Sequence, residues 1–319
     1  MNARWRLPLA GGIVGLTWAA GFRGWMVELI GADSTFSWMT ITLILLPGAL
    51  IGVLLGLAAQ AQEAGVVPHR ALVWAPMLFA SALLDPRILR WLVRTGEGSG
   101  SLMVVATALC TGYVVTHWRL TWRTSLCALV AASGTLVLGL MGTMTMPLST
   151  PRGAWVCLYA MSFMVVLGLA SALPHRRLPR PGRAAIVAIG ATCGLAWACA
   201  LRSFMVAVAG DESTVTWINT FVWILLMGAL AGGLLGWAEH LRRSGRPRRG
   251  LVAAPLLFAG LVAWALTAVG DSTFALDTAH GIWVTTLFYG LMVTLALGTS
   301  IPLRPESVVT TPVEQNAAG

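Results

Sequence analysis

Ten apolar segments joined by short polar connections make up almost the whole chain. Each is close to the roughly 20 residues that an α-helix needs to cross the hydrocarbon layer of a bilayer. A backbone surrounded by lipid must satisfy its own hydrogen bonds, and a helix does so within one segment. The sequence therefore predicts an all-α, polytopic transmembrane helix bundle of about ten helices, near residues 8–30, 36–59, 71–93, 101–118, 125–147, 154–173, 184–209, 214–238, 251–269 and 281–301.

The third segment departs from this pattern, because Asp85, Pro86, Arg87 and Arg90 interrupt its second half. A charged stretch that contains proline is unfavourable as a helix inside the hydrocarbon layer. We expect this helix to end early or to continue along the membrane surface.

The composition supports a membrane protein and argues against a nucleic-acid partner. Of the 319 residues, 57% are hydrophobic and 10% are charged, whereas soluble domains have about 25% charged residues. The net charge of +9 would otherwise suggest nucleic-acid binding, but most of the arginines lie in the short connections. The five cysteines lie in apolar segments without metal-ligand spacing, so we predict no metal, cofactor or disulfide.

One long stretch of the chain, Gly11 to Ala80, occurs again as Gly190 to Ala259. Residues 11–38 match residues 190–217 at 12 of 28 positions, and residues 40–58 match residues 220–238 at 12 of 19. Shared hydrophobicity alone does not produce this many identities. Six predicted helices separate the starts of the copies, so the copies should cross the membrane in the same direction, as in parallel-repeat transporters.

This repeat divides the chain into predicted parts. They are a first four-helix repeat over 1–120, a two-helix insert over 121–174, a second four-helix repeat over 175–302 and a disordered cytoplasmic tail over 303–319.

The distribution of arginine predicts the orientation of the bundle. Of the 21 basic residues, all of which are arginine, fifteen lie in the connections on one side of the membrane and four in those on the other. Because arginine accumulates on the cytoplasmic side, we predict that both termini are cytoplasmic. The exclusive use of arginine is typical of a GC-rich bacterial genome, so the expected location is the bacterial plasma membrane.

Two series of glycines at four-residue spacing predict close helix packing. Glycines at this spacing lie on one face of a helix and allow a neighbouring backbone to approach closely. The predicted packing positions are Gly48, Gly52 and Gly56 in the first copy, and Gly228, Gly232 and Gly236 in the second.

Arg23 and its copy Arg202 are the strongest candidates for function, because an arginine inside the hydrocarbon layer needs a partner or a purpose. Both lie in the predicted outer half of the membrane. Two interpretations stay open. Each arginine pairs with an acid, namely Asp33 or Glu212 ten residues further on or Glu28 in the first copy, or both guanidinium groups bind a lipid phosphate or a carboxylate in an outward-facing cavity.

Ser34 and Ser213 follow those acids and precede the second helix of each copy. Serine before an apolar helix is typical of a helix N-cap. Under the anion-binding interpretation, the two serines belong to the same outer ligand site as the arginines and acids.

The sequence supports three hypotheses on function. The first is a permease-like bundle that binds a lipid or small anion at an outward-facing site, with membrane lipids as partners. The second is an accessory or assembly subunit of another membrane protein. The third is a membrane-embedded enzyme acting on a lipid, which we regard as less favoured because no P-loop, GxSxG or HExxH motif is present and no catalytic residue is identified.

Overall fold

The computed structural model describes residues 5–31, 34–95, 99–117, 119–175, 182–210, 213–246 and 278–300, together with residues 248, 250–253, 255, 256, 258 and 260. The described residues form helices and connections, with no strand. The all-α prediction is confirmed for this part of the chain. The helices are α1 (Arg6–Ile30), α2 (Trp38–Glu63), α3 (Arg70–Leu84), α4 (Pro86–Thr95), α5 (Ser99–Thr116), α6 (Trp122–Met144), α7 (Pro151–Ala170), α8 (Arg183–Ala209), α9 (Trp217–Arg243) and α10 (Ala279–Ser300).

Eight of these helices are long and apolar enough to cross a membrane. They are α1, α2, α5, α6, α7, α8, α9 and α10. The expectation of a multi-pass membrane protein is therefore supported, whereas the count of ten is not reached within the described residues. The predicted span at 251–269 lies mostly outside them.

The third predicted span is bent sharply. Arg70–Leu84 and Ile88–Arg94 meet at an angle of 93°, and the pair would count as one further, broken span. Asp85 and Pro86 lie at the bend. They account for it, because proline fixes its own backbone angle and disfavours helical geometry in the residue before it. The first part of this segment thus ends at Leu84, and its continuation along the membrane surface stays a prediction.

The first two helices of each copy pack through their glycines. A methyl group added at Gly52 would collide with the backbone carbonyl of Gly11, and one added at Gly232 would collide with that of Gly190. Each of the six glycines predicted for packing faces the neighbouring helix of its own copy: Gly48 meets Ala19, Gly56 meets Leu7, Gly228 meets Ala198 and Gly236 meets Ile186. The contacts between α1 and α2 thus recur, position for position, between α8 and α9.

The first helices of the two copies also touch each other. A methyl group added at Gly21 would lie 3.3 Å from Cβ of Ala200, and one added at Gly24 would lie 2.5 Å from Oγ of Ser203. These are equivalent positions, 179 residues apart, and they follow in the same order along both helices. The helices α1 and α8 therefore run in the same direction at their contact.

Two further helices, α7 and α10, pack across this central pair. The indole Nε1 of Trp18 in α1 donates to the carbonyl oxygen of Phe163 in α7 at 3.0 Å, and that of Trp197 in α8 donates to the carbonyl oxygen of Leu291 in α10 at 2.9 Å. Trp18 and Trp197 are equivalent residues. We call the end of the bundle with residues 34–37 and 213–216 the outer end, and the end with residues 64–69 and 244–246 the inner end.

Candidate functional site

Arg23 binds the segment that follows its own helix. Gly31, with φ of 70°, ends α1 in a conformation that favours glycine, and the chain then returns towards the arginine. Nη1 of Arg23 donates to Oγ of Ser34 at 2.9 Å, and Nη2 donates to the carbonyl oxygen of Thr35 at 2.8 Å. The guanidinium carbon also lies 4.3 Å from the ring centre of Phe36. The arginine, which is only 6% exposed, therefore connects the end of α1 to the start of α2.

Arg202 makes the same contacts in the second copy. Its Nη1 donates to Oγ of Ser213 at 2.7 Å, and its Nη2 donates to the carbonyl oxygen of Thr214 at 2.8 Å. Its Nε donates to Oγ1 of Thr220 at 3.4 Å. The structure thus brings each predicted arginine to the predicted serine of its own copy. The predicted acids Asp33 and Glu212 lie outside the described residues.

Glu28 forms an ion pair with a residue that the sequence did not suggest. Its Oε2 accepts from Nη2 of Arg152 at 2.8 Å, and the glutamate side chain is 2% exposed whereas that of Arg152 is 47% exposed. This contact joins α1 to α7 at the outer end. No local sequence pattern indicates this contact, because the partners are separated by 124 residues and belong to different predicted parts.

Comparison of α7 with α10 reveals a second internal similarity. Their residues correspond at a spacing of 128, which pairs Trp155 with Trp283, both almost fully buried. Seven of the 20 residues of α7 are identical in α10. This spacing differs from the 179 found for α1 and α8, so the first copy contains 51 additional residues ahead of its equivalent helix. The change of spacing is the reason why the sequence comparison missed the relation.

A cavity of about 530 Å³ lies at the inner half of the bundle. We call it the inner cavity; it is bounded by α1, α7, α8, α9, α10 and Phe258, and is lined by small and apolar residues such as Gly194, Ala231, Leu235 and Leu295. It extends towards the middle of the bundle, where Trp18 and Trp197 line it. The volume falls within the range of about 300–1,000 Å³ that is typical of ligand sites.

Few polar groups face this cavity, and most of them already have partners. The hydroxyl groups of Thr17 and Thr294 donate to carbonyl oxygens of their own helices, at 2.8 and 3.0 Å. The indole nitrogens of Trp18 and Trp197 donate to backbone carbonyls as described above. The lining therefore suits an apolar chain better than a polar solute, because it offers few groups that could replace the solute's hydrogen bonds to water.

The inner end of the cavity is charged. Glu239 and Arg243, both in α9, line it. Oε1 of Glu239 accepts from Nε of Arg243 at 2.7 Å, and Oε2 accepts from Nε of Arg242 at 2.7 Å. The cavity thus combines a long apolar lining with one ionic group at its end, which is the arrangement expected of a site that binds an amphiphile.

The first copy differs at the positions that correspond to part of the cavity lining. Ile51 and Leu55, which correspond to Ala231 and Leu235, are 2% and 5% exposed because α3 packs against α2. The copies therefore share their glycine packing and their arginine contacts but differ at the inner half.

No family model, curated protein or solved structure matches this chain.

Proposed function

We propose that this protein is a permease-like, lipid-binding membrane bundle, whose inner cavity holds the apolar chain of an amphiphile. The observation that supports this most directly is the inner cavity itself, an apolar space of about 530 Å³ with an ionic group at one end. A lipid's acyl chain enters this cavity from the hydrocarbon layer and not from water, so the hydrophobic effect adds little to its binding. Bilayer lipid competes for the same chain, so selectivity must come from shape and from the charged end.

The proposal places the ligand at the inner end, whereas the sequence predicted an outward-facing anion site at Arg23 and Arg202. The described guanidinium groups hold the segments after α1 and α8, which favours a structural role for both. Anion binding at the outer end stays a prediction.

We also propose that the bundle consists of two parallel copies, related by an axis along the membrane normal, in a bacterial plasma membrane with both termini cytoplasmic. The contacts of Gly21 with Ala200 and of Gly24 with Ser203 support this, because equivalent residues meet where a twofold axis passes between two helices. The similarity of α7 to α10 favours α7 as the last helix of the first copy. The two-helix insert would then be α5 and α6, and not residues 121–174.

The lipid proposal is tested by native mass spectrometry of the protein purified in mild detergent. We expect a lipid to remain bound to the wild-type protein and to be lost from Ala231→Phe, because the added ring fills the inner cavity. Leu226→Phe is the matched control, since Leu226 lies in the same helix, is 47% exposed and does not line the cavity. Equal lipid retention by both variants and the wild type would contradict the proposal.

A further inference from the structure

The guanidinium group of Arg243 is bound at its Nε, and its two terminal nitrogens face away from that contact. Its Nε donates to Oε1 of Glu239 at 2.7 Å, which fixes the orientation of the planar group. Within the described part of the chain, its two terminal nitrogens make no hydrogen bond or ion pair. The side chain is 53% exposed and lines the inner cavity. Two parallel N–H groups are thus available to an anion at the cavity's end.

Glu239 itself has little capacity left to bind a cation. Its Oε1 accepts from both Arg243 and Arg242, and its Oε2 accepts from Nε of Arg242. Two arginines around one glutamate leave a local charge of +1. The group at the end of the cavity therefore favours an anionic partner over a cationic one.

Comparison of the two copies associates the ionic group of Glu239 and Arg243 with the cavity. At the spacing of 180 residues, Arg243 corresponds to Glu63 and Glu239 corresponds to Ala59. The first copy thus lacks the ionic group, and Leu55, at the position of the cavity-lining Leu235, is buried there. Packing of the shared glycines requires neither the ionic group nor the cavity, so their joint presence in the second copy points to a ligand that uses both.

We propose that the inner cavity is a site for a phosphate-bearing lipid of the cytoplasmic leaflet, with its phosphate on the terminal nitrogens of Arg243 and an acyl chain along the cavity. Glu239 is a positioning residue that holds Arg243. This inference rests on the proposed function and adds the chemistry of the headgroup. From Glu239 to Gly228 the cavity follows α9 for about 16 Å, directed from the headgroup region towards the membrane centre. The exposed Arg246 nearby adds positive potential that attracts anionic lipid.

The test compares two lipids with identical acyl chains, phosphatidylglycerol and diacylglycerol, added to the full-length protein in detergent and measured by native mass spectrometry. We expect the wild type to bind phosphatidylglycerol about tenfold more tightly, since two charge-assisted hydrogen bonds are gained. Arg243→Gln should lose this preference and keep its binding of diacylglycerol. Glu63→Gln, at the equivalent position of the first copy, should retain the preference.

Three outcomes distinguish the proposals. If Arg243→Gln keeps the preference for phosphatidylglycerol while Ala231→Phe loses binding of both lipids, the headgroup assignment is overturned and the cavity proposal stands. Binding of both lipids unchanged in Ala231→Phe would overturn the proposed function. Inorganic phosphate is then added at millimolar concentration to the protein with bound phosphatidylglycerol. If it displaces this lipid as strongly as further phosphatidylglycerol does, the site takes free phosphate, and the assignment to a lipid is overturned.

Discussion

Arg23 and Arg202 show how one side chain organises the end of a membrane helix. Each is almost fully buried and donates to a serine hydroxyl and to the carbonyl oxygen of the threonine that follows it. A guanidinium group suits this task because its donors are fixed in one plane, whereas the ammonium group of lysine is a point charge on a flexible stem.

Replacement of either arginine by lysine should therefore destabilise the fold. We expect Arg23→Lys and Arg202→Lys to lower the free energy of unfolding by about 1–3 kcal/mol each, because a buried acceptor loses its donor. Thermal unfolding of the detergent-purified protein measures this. Arg6→Lys is the control, since Arg6 is exposed. If both variants unfold like the control and lose lipid binding, the arginines belong to a ligand site instead.

The sequence indicated these arginines but not all of their partners. Position within an apolar segment was enough to select Arg23, since charge in lipid is costly. The serine partners could be named because they follow in the same copy. The partner of Glu28 could not be named, because Arg152 is brought to it by the packing of α7 on α1, and no local pattern encodes that contact.

At the scale of helices, the glycine series explains why α1 and α2 pack as α8 and α9 do. Lipid supplies no hydrophobic force between membrane helices, so close van der Waals contact is the main attraction. The spacing of four residues made this face predictable. The relation of α7 to α10 was not predictable in the same way, because the inserted residues change the spacing and only seven positions are identical.

Two adjacent glycines of α9 provide a matched test of this packing. A methyl group at Gly232 would collide with the carbonyl oxygen of Gly190, whereas one at Gly233 would have its nearest neighbour, Cβ of Ala191, at 3.7 Å. We expect Gly232→Ala to cost about 1–3 kcal/mol of stability through overpacking. Gly233→Ala should be neutral or slightly stabilising, since alanine favours helix. Equal melting temperatures for the two variants in detergent would rule out a tight contact at Gly232.

The whole molecule combines a shared framework with one difference between its halves. The equivalent helices α1 and α8 lie side by side at the centre, where Gly21 meets Ala200. In the first copy, Ile51 and Leu55 are buried and α3 packs against α2, whereas an apolar cavity that ends at Arg243 borders α9 of the second copy. Under the proposed function, one half of the duplicated chain serves packing and the other half binds the ligand. This division between the halves requires that both copies cross the membrane in the same direction.

The direction of the two copies can be measured by cysteine accessibility in intact cells. Ala64 and Ser244 are exposed, equivalent residues at the inner end, and Ser149 is exposed in the connection before α7. With a membrane-impermeant thiol reagent, we expect Ala64→Cys and Ser244→Cys to be protected until the cells are opened, and Ser149→Cys to be labelled at once. The unmodified protein controls for its five native cysteines. Labelling of only one of positions 64 and 244 in intact cells would contradict the parallel arrangement.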